Sequence, residues 1–133
     1  MSRQEPDTNF SFSKLVVDDL ETSARFYEQV CQLVERARHN GKINGEHMTE
    51  ITYQPTRESG PSLTLVKFDD QHGHVCGESI LGFITDDLDA FLERAQSAGG
   101  KVTDPTREVP AYNVRVAFVE DNEGHLMEVI QVL

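Results

Sequence analysis

Two segments of the chain carry the same helix-start signal, and this internal repeat limits the possible folds more than any other feature. The signal reads Asp18-Asp19-Leu20 in the first copy and Asp86-Asp87-Leu88 in the second, an offset of 68 residues (86 − 18). In each copy an Asp side chain can accept hydrogen bonds from the free N–H groups of the first helical turn. Units this small bury a core by packing against each other, so the repeat predicts two paired modules.

Each predicted helix stands between runs that are typical of strands. The apolar face of the first helix continues at spacings of three and four from Leu20 to Val34, and the second helix runs from Leu88 to a Gly99-Gly100 stop. Strands are predicted at 10–17, 33–38, 45–54 and 61–68, then at 79–85, 101–102, 113–121 and 125–133. The sequence therefore predicts an α+β fold with one domain over 1–133. Its βαβββ modules cover about 10–68 and 79–133, and residues 69–78 form the linker.

Charge and composition narrow the range of partners. Twelve Lys and Arg residues against 23 Asp and Glu residues give a net charge of −11, which disfavours nucleic acid and anionic membrane surfaces as partners. No apolar run approaches the roughly 20 residues that a membrane-spanning helix needs. The two cysteines are too few for a disulfide framework, so we expect reduced thiols and a cytoplasmic protein.

Three segments carry a resemblance to a known family. They are VDDLETSARFYEQV (17–30), AGGKV (98–102) and FVEDNEGHLMEVIQ (118–131), in which Asn122 replaces the usual proline. In order and spacing they resemble the glyoxalase / bleomycin resistance protein / extradiol dioxygenase group, the vicinal oxygen chelate superfamily. The resemblance implies that two βαβββ modules form a half-open cup and that the chain forms a homodimer. It leaves the reaction open, because the family includes isomerases, epimerases, dioxygenases, transferases and drug-binding proteins.

The resemblance also implies four inward positions that hold a divalent metal in many members. Carried over one at a time, these positions are Phe12 and Ile80 on the first strand of each module, and Thr64 and Glu128 on the last. Hydrocarbon side chains cannot donate a lone pair to a metal, and only Glu128 is a ligand of the family type. We therefore predict no metal at this site and no other cofactor.

Strand parity predicts which side chains share the cup with these positions. Lys14 lies on the same face as Phe12, and Leu126 and Ile130 lie on the same face as Glu128. A carboxylate among apolar neighbours needs a cation or a catalytic use, and Lys14 or Arg115 could supply the cation. Glu128 is therefore either a general base or half of a purely structural ion pair. Tyr112, in the loop before Arg115, could line the cup.

Two other groups of polar residues are weaker candidates. His72, His74 and Cys76 alternate in the linker, but they lack the spacing of a strong metal site, and a solvated linker is the favoured interpretation. His47 and Glu50 are three residues apart on a predicted strand, so they face opposite sides and cannot chelate together.

Three functions follow as hypotheses. The first is a binding protein that holds a small aromatic or cationic organic molecule in an apolar cup with an acidic rim. The second is a metal-independent isomerase, epimerase or lyase, in which Glu128 is the base and Lys14 or Arg115 holds a carbonyl oxygen. The third is a metal-dependent lyase or dioxygenase with relocated ligands.

Overall fold

The computed structural model describes residue 7 and residues 10–70 and 79–133 of the chain. Its elements, in chain order, are β1 (Phe12–Val16), α1 (Leu20–Val30), β2 (Glu35–Ile43), β3 (Glu46–Tyr53), β4 (Ser62–Phe68), β5 (Ile80–Ile84), α2 (Leu88–Ser97), β6 (Lys101–Val109), β7 (Val114–Glu120) and β8 (Leu126–Val132). A short 3₁₀ turn, Pro110–Tyr112, precedes β7. The element order is βαβββ followed by βαβββ, as the repeat predicts.

Both helices begin at the predicted caps. The Asp19 carboxylate accepts a hydrogen bond from the backbone N–H of Thr22 (3.0 Å), and Asp87 accepts one from Ala90 (3.1 Å). In the described part of the chain, neither helix is long and apolar enough to cross a membrane.

The first helix is shorter than its apolar spacing predicts. It ends at Val30, and Gln32 adopts a left-handed backbone conformation with φ of 60°, which turns the chain toward β2. Val34, which the spacing placed on the buried helix face, is therefore exposed. The prediction failed here because the apolar series of the helix runs without a break into that of the following strand.

The two modules form two four-stranded sheets of the same topology. The strand order is β1-β4-β3-β2 in the first sheet and β5-β8-β7-β6 in the second, and the β1–β4 and β5–β8 pairs are parallel. In the register Lys14 pairs with Thr64, and Gly82 pairs with Glu128. Since Gly82 lies 68 residues after Lys14, the register makes Thr64 the counterpart of Glu128.

One hydrophobic core joins the modules on the helix side of the sheets. Tyr27 and Val30 of α1 and Leu88 of α2 are fully buried in one cluster with strand residues of both sheets. These strand residues include Leu15, Ile51, Tyr53, Leu65, Ala117, Val119, Met127 and Val129. Removal of this surface from water is the main stabilising contribution, and neither module could bury it alone.

Candidate functional site

Each sheet has a second face, turned away from the helices, which we call the cup face. On β8, Met127 and Val129 are fully buried in the core, whereas Leu126, Glu128 and Ile130 between and beside them are half-buried on the cup face. On β1, Leu15 faces the core, and Phe12, Lys14 and Val16 lie on the cup face. The period of two along the sequence therefore assigned these faces correctly.

The four family metal positions lie on the cup faces, but their side chains do not form a ligand set. Phe12 is 56% exposed and Ile80 is 58% exposed, and both are hydrocarbons. The buried Thr64 hydroxyl lies 3.3 Å from the hydroxyl of Thr52. Glu128 alone offers a carboxylate, whereas a divalent ion needs several nitrogen or oxygen ligands from the protein. This donor set does not fit the metal of the family.

Within residues 10–70 and 79–133, no three His, Cys, Asp or Glu side chains converge in a way that could hold a metal ion. The alternating His72, His74 and Cys76 lie outside the described residues. The hypothesis of relocated ligands therefore gains no support from the residues that the structure describes.

Glu128 lies beside open space. The paired Gly82 has no side chain, and a Cβ atom built there would meet no atom within 4 Å. On the other side, Glu128 pairs with Phe118 of β7, which lies on the same face. In the described part of the chain, the Glu128 carboxylate has neither a hydrogen bond nor an ion pair, so it is free to pair with a ligand.

Arg115 does not share this face, and the prediction that it could meet Glu128 in the cup is wrong. It pairs with Gln131 on β8, and its Nη2 atom lies 3.3 Å from Oδ1 of Asp89 on α2. Parity along β7 explains the error, because Arg115 is an odd number of residues from Phe118, which lies opposite Glu128. Tyr112, in the 3₁₀ turn, is largely exposed and forms no wall of the cup in a single copy.

Lys14 lies on the predicted face, but its partner there is Glu50, which the sequence did not indicate as a cup residue. Its Nζ atom donates a hydrogen bond to Oε2 of Glu50 on β3 at 2.8 Å. Glu50 was considered only as a metal ligand together with His47. The parity that excludes such a pair also places Glu50 on the cup face, beside Thr52 and Met48. The missing information was the register between β3 and β4, which pairs Thr52 with Thr64.

A second polar cluster is buried between the modules, away from the cup. The Tyr27 hydroxyl donates to Oδ2 of Asp121 at 2.7 Å, and Nδ1 of His125 lies 2.9 Å from the same oxygen. Burial alone would raise the pKa of Asp121, but the hydrogen bonds from His125 and Tyr27 lower it. Burial alone would lower the pKa of His125, but the hydrogen bond and the charge of Asp121 raise it.

Comparison with known proteins agrees with this architecture. A family model for the Glyoxalase/Bleomycin resistance protein/Dioxygenase superfamily matches residues 10–129. The lactoylglutathione lyase of Haemophilus influenzae is 30% identical over 128 residues, which cover 88% of this chain and 87% of the relative. A probable lactoylglutathione lyase of Vibrio parahaemolyticus is 28% identical over 121 residues, with 88% and 86% covered.

The fold is also that of solved structures. The crystal structure of a glyoxalase family protein from Bacillus cereus superposes with a TM-score of 0.80 at 15% identity, and the match covers 100% of this chain and 99% of that one. At this identity the similarity concerns the fold alone. Since the matched region of the family model extends from before β1 into β8, the chain belongs to the glyoxalase/bleomycin resistance protein/dioxygenase superfamily.

Proposed function

We propose that the chain binds a small organic molecule in its cup without a metal ion, through Glu128. The observation that carries the proposal is a half-buried glutamate whose carboxylate has no protein partner in the described part of the chain, beside the open space above Gly82. A carboxylate that loses water when a ligand covers it is costly unless a cation or a hydrogen-bond donor pairs with it. A ligand that brings such a group would remove this cost on binding.

The surroundings of Glu128 favour a ligand with an apolar body. Leu126 and Ile130 flank it along β8, and Phe118 lies opposite. Phe12 and Ile80 add exposed apolar surface where the family metal would have ligands. The net charge of −11 attracts cations to the whole molecule. An aromatic or aliphatic amine therefore fits the cup best.

The same surface supports a homodimer. Five large apolar side chains on the cup faces are exposed in a single copy: Phe12, Val16, Ile80, Ile84 and Val132. Exposed apolar side chains on such faces are typical of an interface, and a second copy would bury them and close the cup around the ligand. We propose such a dimer, in the cytoplasm, with neither nucleic acid nor a membrane as partner.

A second candidate function is a metal-independent isomerase, epimerase or lyase. The similarity to proteins named lactoylglutathione lyase favours it. Glu128 would then remove a proton next to a substrate carbonyl, and Lys14 would hold the carbonyl oxygen. The Glu50 contact supports this role for Lys14, because it fixes the ammonium group on the cup face.

Substitution of Glu128 tests both functions. Glu128→Gln is nearly isosteric and should leave the unfolding temperature close to that of the unaltered chain. It should weaken the binding of benzylamine, measured by calorimetry, by about 1–3 kcal/mol. If lactoylglutathione is turned over, the variant should lose that activity. Glu58→Gln, at an exposed loop position, is the matched control. Unchanged benzylamine binding and unchanged turnover in Glu128→Gln would exclude Glu128 from the site.

A further inference from the structure

Glu50 and Lys14 form an ion pair on the cup face that the proposed binding through Glu128 does not use. The ammonium nitrogen lies 2.8 Å from the carboxylate, and the side chains are 35% exposed for Lys14 and 11% for Glu50. The carboxylate therefore lies deep against the sheet and the ammonium group lies nearer the opening of the cup. The Phe12 ring, with its centroid 5.9 Å from the ammonium nitrogen, borders the same group.

Stability alone accounts poorly for this pair. The buried Glu50 carboxylate must lose water, and an ion pair with a partly exposed lysine contributes little to stability. The adjacent cup-face positions on β3 and β4 include Met48 and Val66, so apolar side chains fit this part of the sheet. What the pair does provide is a lysine with a fixed direction. A free lysine would extend into water in many rotamers.

The fixed ammonium group keeps donors for a ligand. An ammonium group carries three N–H donors. Within residues 10–70 and 79–133, the Lys14 ammonium group donates one hydrogen bond, to Glu50. Two donors therefore remain at the partly exposed end, on a surface that also carries the Phe12 ring.

The charge of the pair defines the chemical class that these donors would take. Lys14 and Glu50 together are neutral, and the chain carries a net charge of −11. A full anion at this point would be repelled by Glu50 and by the field of the protein. A neutral oxygen acceptor, such as a ketone, aldehyde or amide carbonyl, gains the hydrogen bonds without that repulsion.

We infer that Lys14 binds a carbonyl-type oxygen of the cup ligand and that Glu50 is the positioning residue that aims it. This inference rests on the proposed function, because it assumes that the cup takes an organic molecule. Glu128 on module two pairs with an amine or another hydrogen-bond donor of the ligand. Lys14 adds a second recognition element on module one. A ligand with an apolar ring and a carbonyl group uses both Phe12 and Lys14.

Three fragments with one phenyl ring test this inference: benzamide, benzylamine and benzoate. Each is titrated into the full chain, and dissociation constants are taken from NMR shift changes. We expect Lys14→Met and Glu50→Leu to weaken benzamide roughly tenfold, the loss of one charge-assisted hydrogen bond. Glu50→Gln keeps an oxygen acceptor for the ammonium group and should retain most of the affinity. Lys42→Met, at an exposed position on β2, is the control.

A positioning role has its own signature. In the unaltered chain the ring of Phe12 should displace the signals of the Lys14 ε-methylene group from those of the other lysines. Glu50→Leu should return the chemical shifts of this group to those of the other lysines, whereas Glu50→Gln should leave them displaced. A role of Glu50 in stability alone would move the unfolding temperature without this change. If Glu50→Leu does not fold, Lys14→Met and Glu50→Gln still decide the outcome.

The results separate the two proposals. Benzamide that binds Lys14→Met as well as the unaltered chain would overturn the inference, and so would benzoate that binds more tightly than benzamide through Lys14. Benzylamine binding that depends on Glu128 would leave the proposed function intact in either case. Failure of all three fragments to bind the unaltered chain would overturn the proposed function and the inference together.

Discussion

The Nε2 atom of His125, just before β8, lies 3.1 Å from the carbonyl oxygen of Val16 at the end of β1. Its other ring nitrogen faces the carboxylate of Asp121. Both neighbours are hydrogen-bond acceptors, and an imidazole satisfies two acceptors only when both nitrogens carry protons. The buried ring is thus best accommodated as an imidazolium that ties the last hairpin of module two to the first strand of module one.

This contact predicts a pH dependence of stability. Because Asp121 raises the pKa of His125 above its ordinary value of 6.5, the folded chain holds the proton more tightly than the unfolded chain. The resulting stabilisation is complete below the ordinary value and is lost as the pH rises through the raised pKa. We expect the unfolding temperature, measured by calorimetry between about pH 6 and about pH 9, to fall over this range.

A pair of histidine variants tests this assignment. His125→Gln should remove most of the slope and lower the free energy of unfolding at about pH 6 by about 1–3 kcal/mol. His39→Gln, at an exposed position on β2, should keep the slope of the unaltered chain. Equal slopes in all three proteins would contradict the assignment of the slope to His125.

The hairpin between β7 and β8 also supports the first helix. The carboxylate of Glu123 accepts hydrogen bonds from the backbone N–H groups of Asp18 (2.9 Å) and Asp19 (2.8 Å). These groups precede the first turn of α1, where a negative charge is favourable. Glu123→Ala should lower the free energy of unfolding in urea by about 1–2 kcal/mol. Glu93→Ala, on the exposed face of α2, should change it little; a loss as large as that of Glu123→Ala would argue against the capping role.

The exposed cup faces predict self-association. Sedimentation at micromolar concentration should give a mass of about 30 kDa, twice the 15.0 kDa of one chain. Ile84→Lys places a charge on the exposed cup face and should shift the equilibrium to monomer. Val34→Lys changes another exposed apolar residue, which lies outside the cup faces, and should leave the mass unchanged. A 15.0 kDa species for the unaltered chain would contradict the dimer.

The donor set of the cup predicts a low metal content. Chain purified without a tag should carry less than about one-tenth of an equivalent of nickel, zinc, iron or manganese. The double variant Phe12→His/Ile80→His returns two nitrogen ligands to exposed positions and should increase the zinc content. Near-stoichiometric metal in the unaltered chain, removed by a chelator with loss of folding or activity, would refute this prediction.

The sequence predicted the repeated architecture and the alternation of faces along β1 and β8, because these follow from local rules. An Asp before an apolar series caps a helix wherever the helix packs, and alternation along a strand assigns its two faces without knowledge of its neighbours. The family resemblance placed Phe12 and Glu128 in the cup, and alternation along β1 then added Lys14 to the same face. The end of α1 was missed because two apolar series overlap at Val34.

Which side chains meet was decided by tertiary structure. Lys14 could have paired with Glu128, and its partner is Glu50, because β3 lies next to β4 and carries Glu50 on the same face. Arg115 does not lie at the site, because β7 places its side chain next to Asp89 on α2. Contacts between strands depend on register and sheet order, which arise from the packing of distant segments. The sequence by itself determined which residues can face the cup. The packing of the strands decided which charged side chains contact one another there.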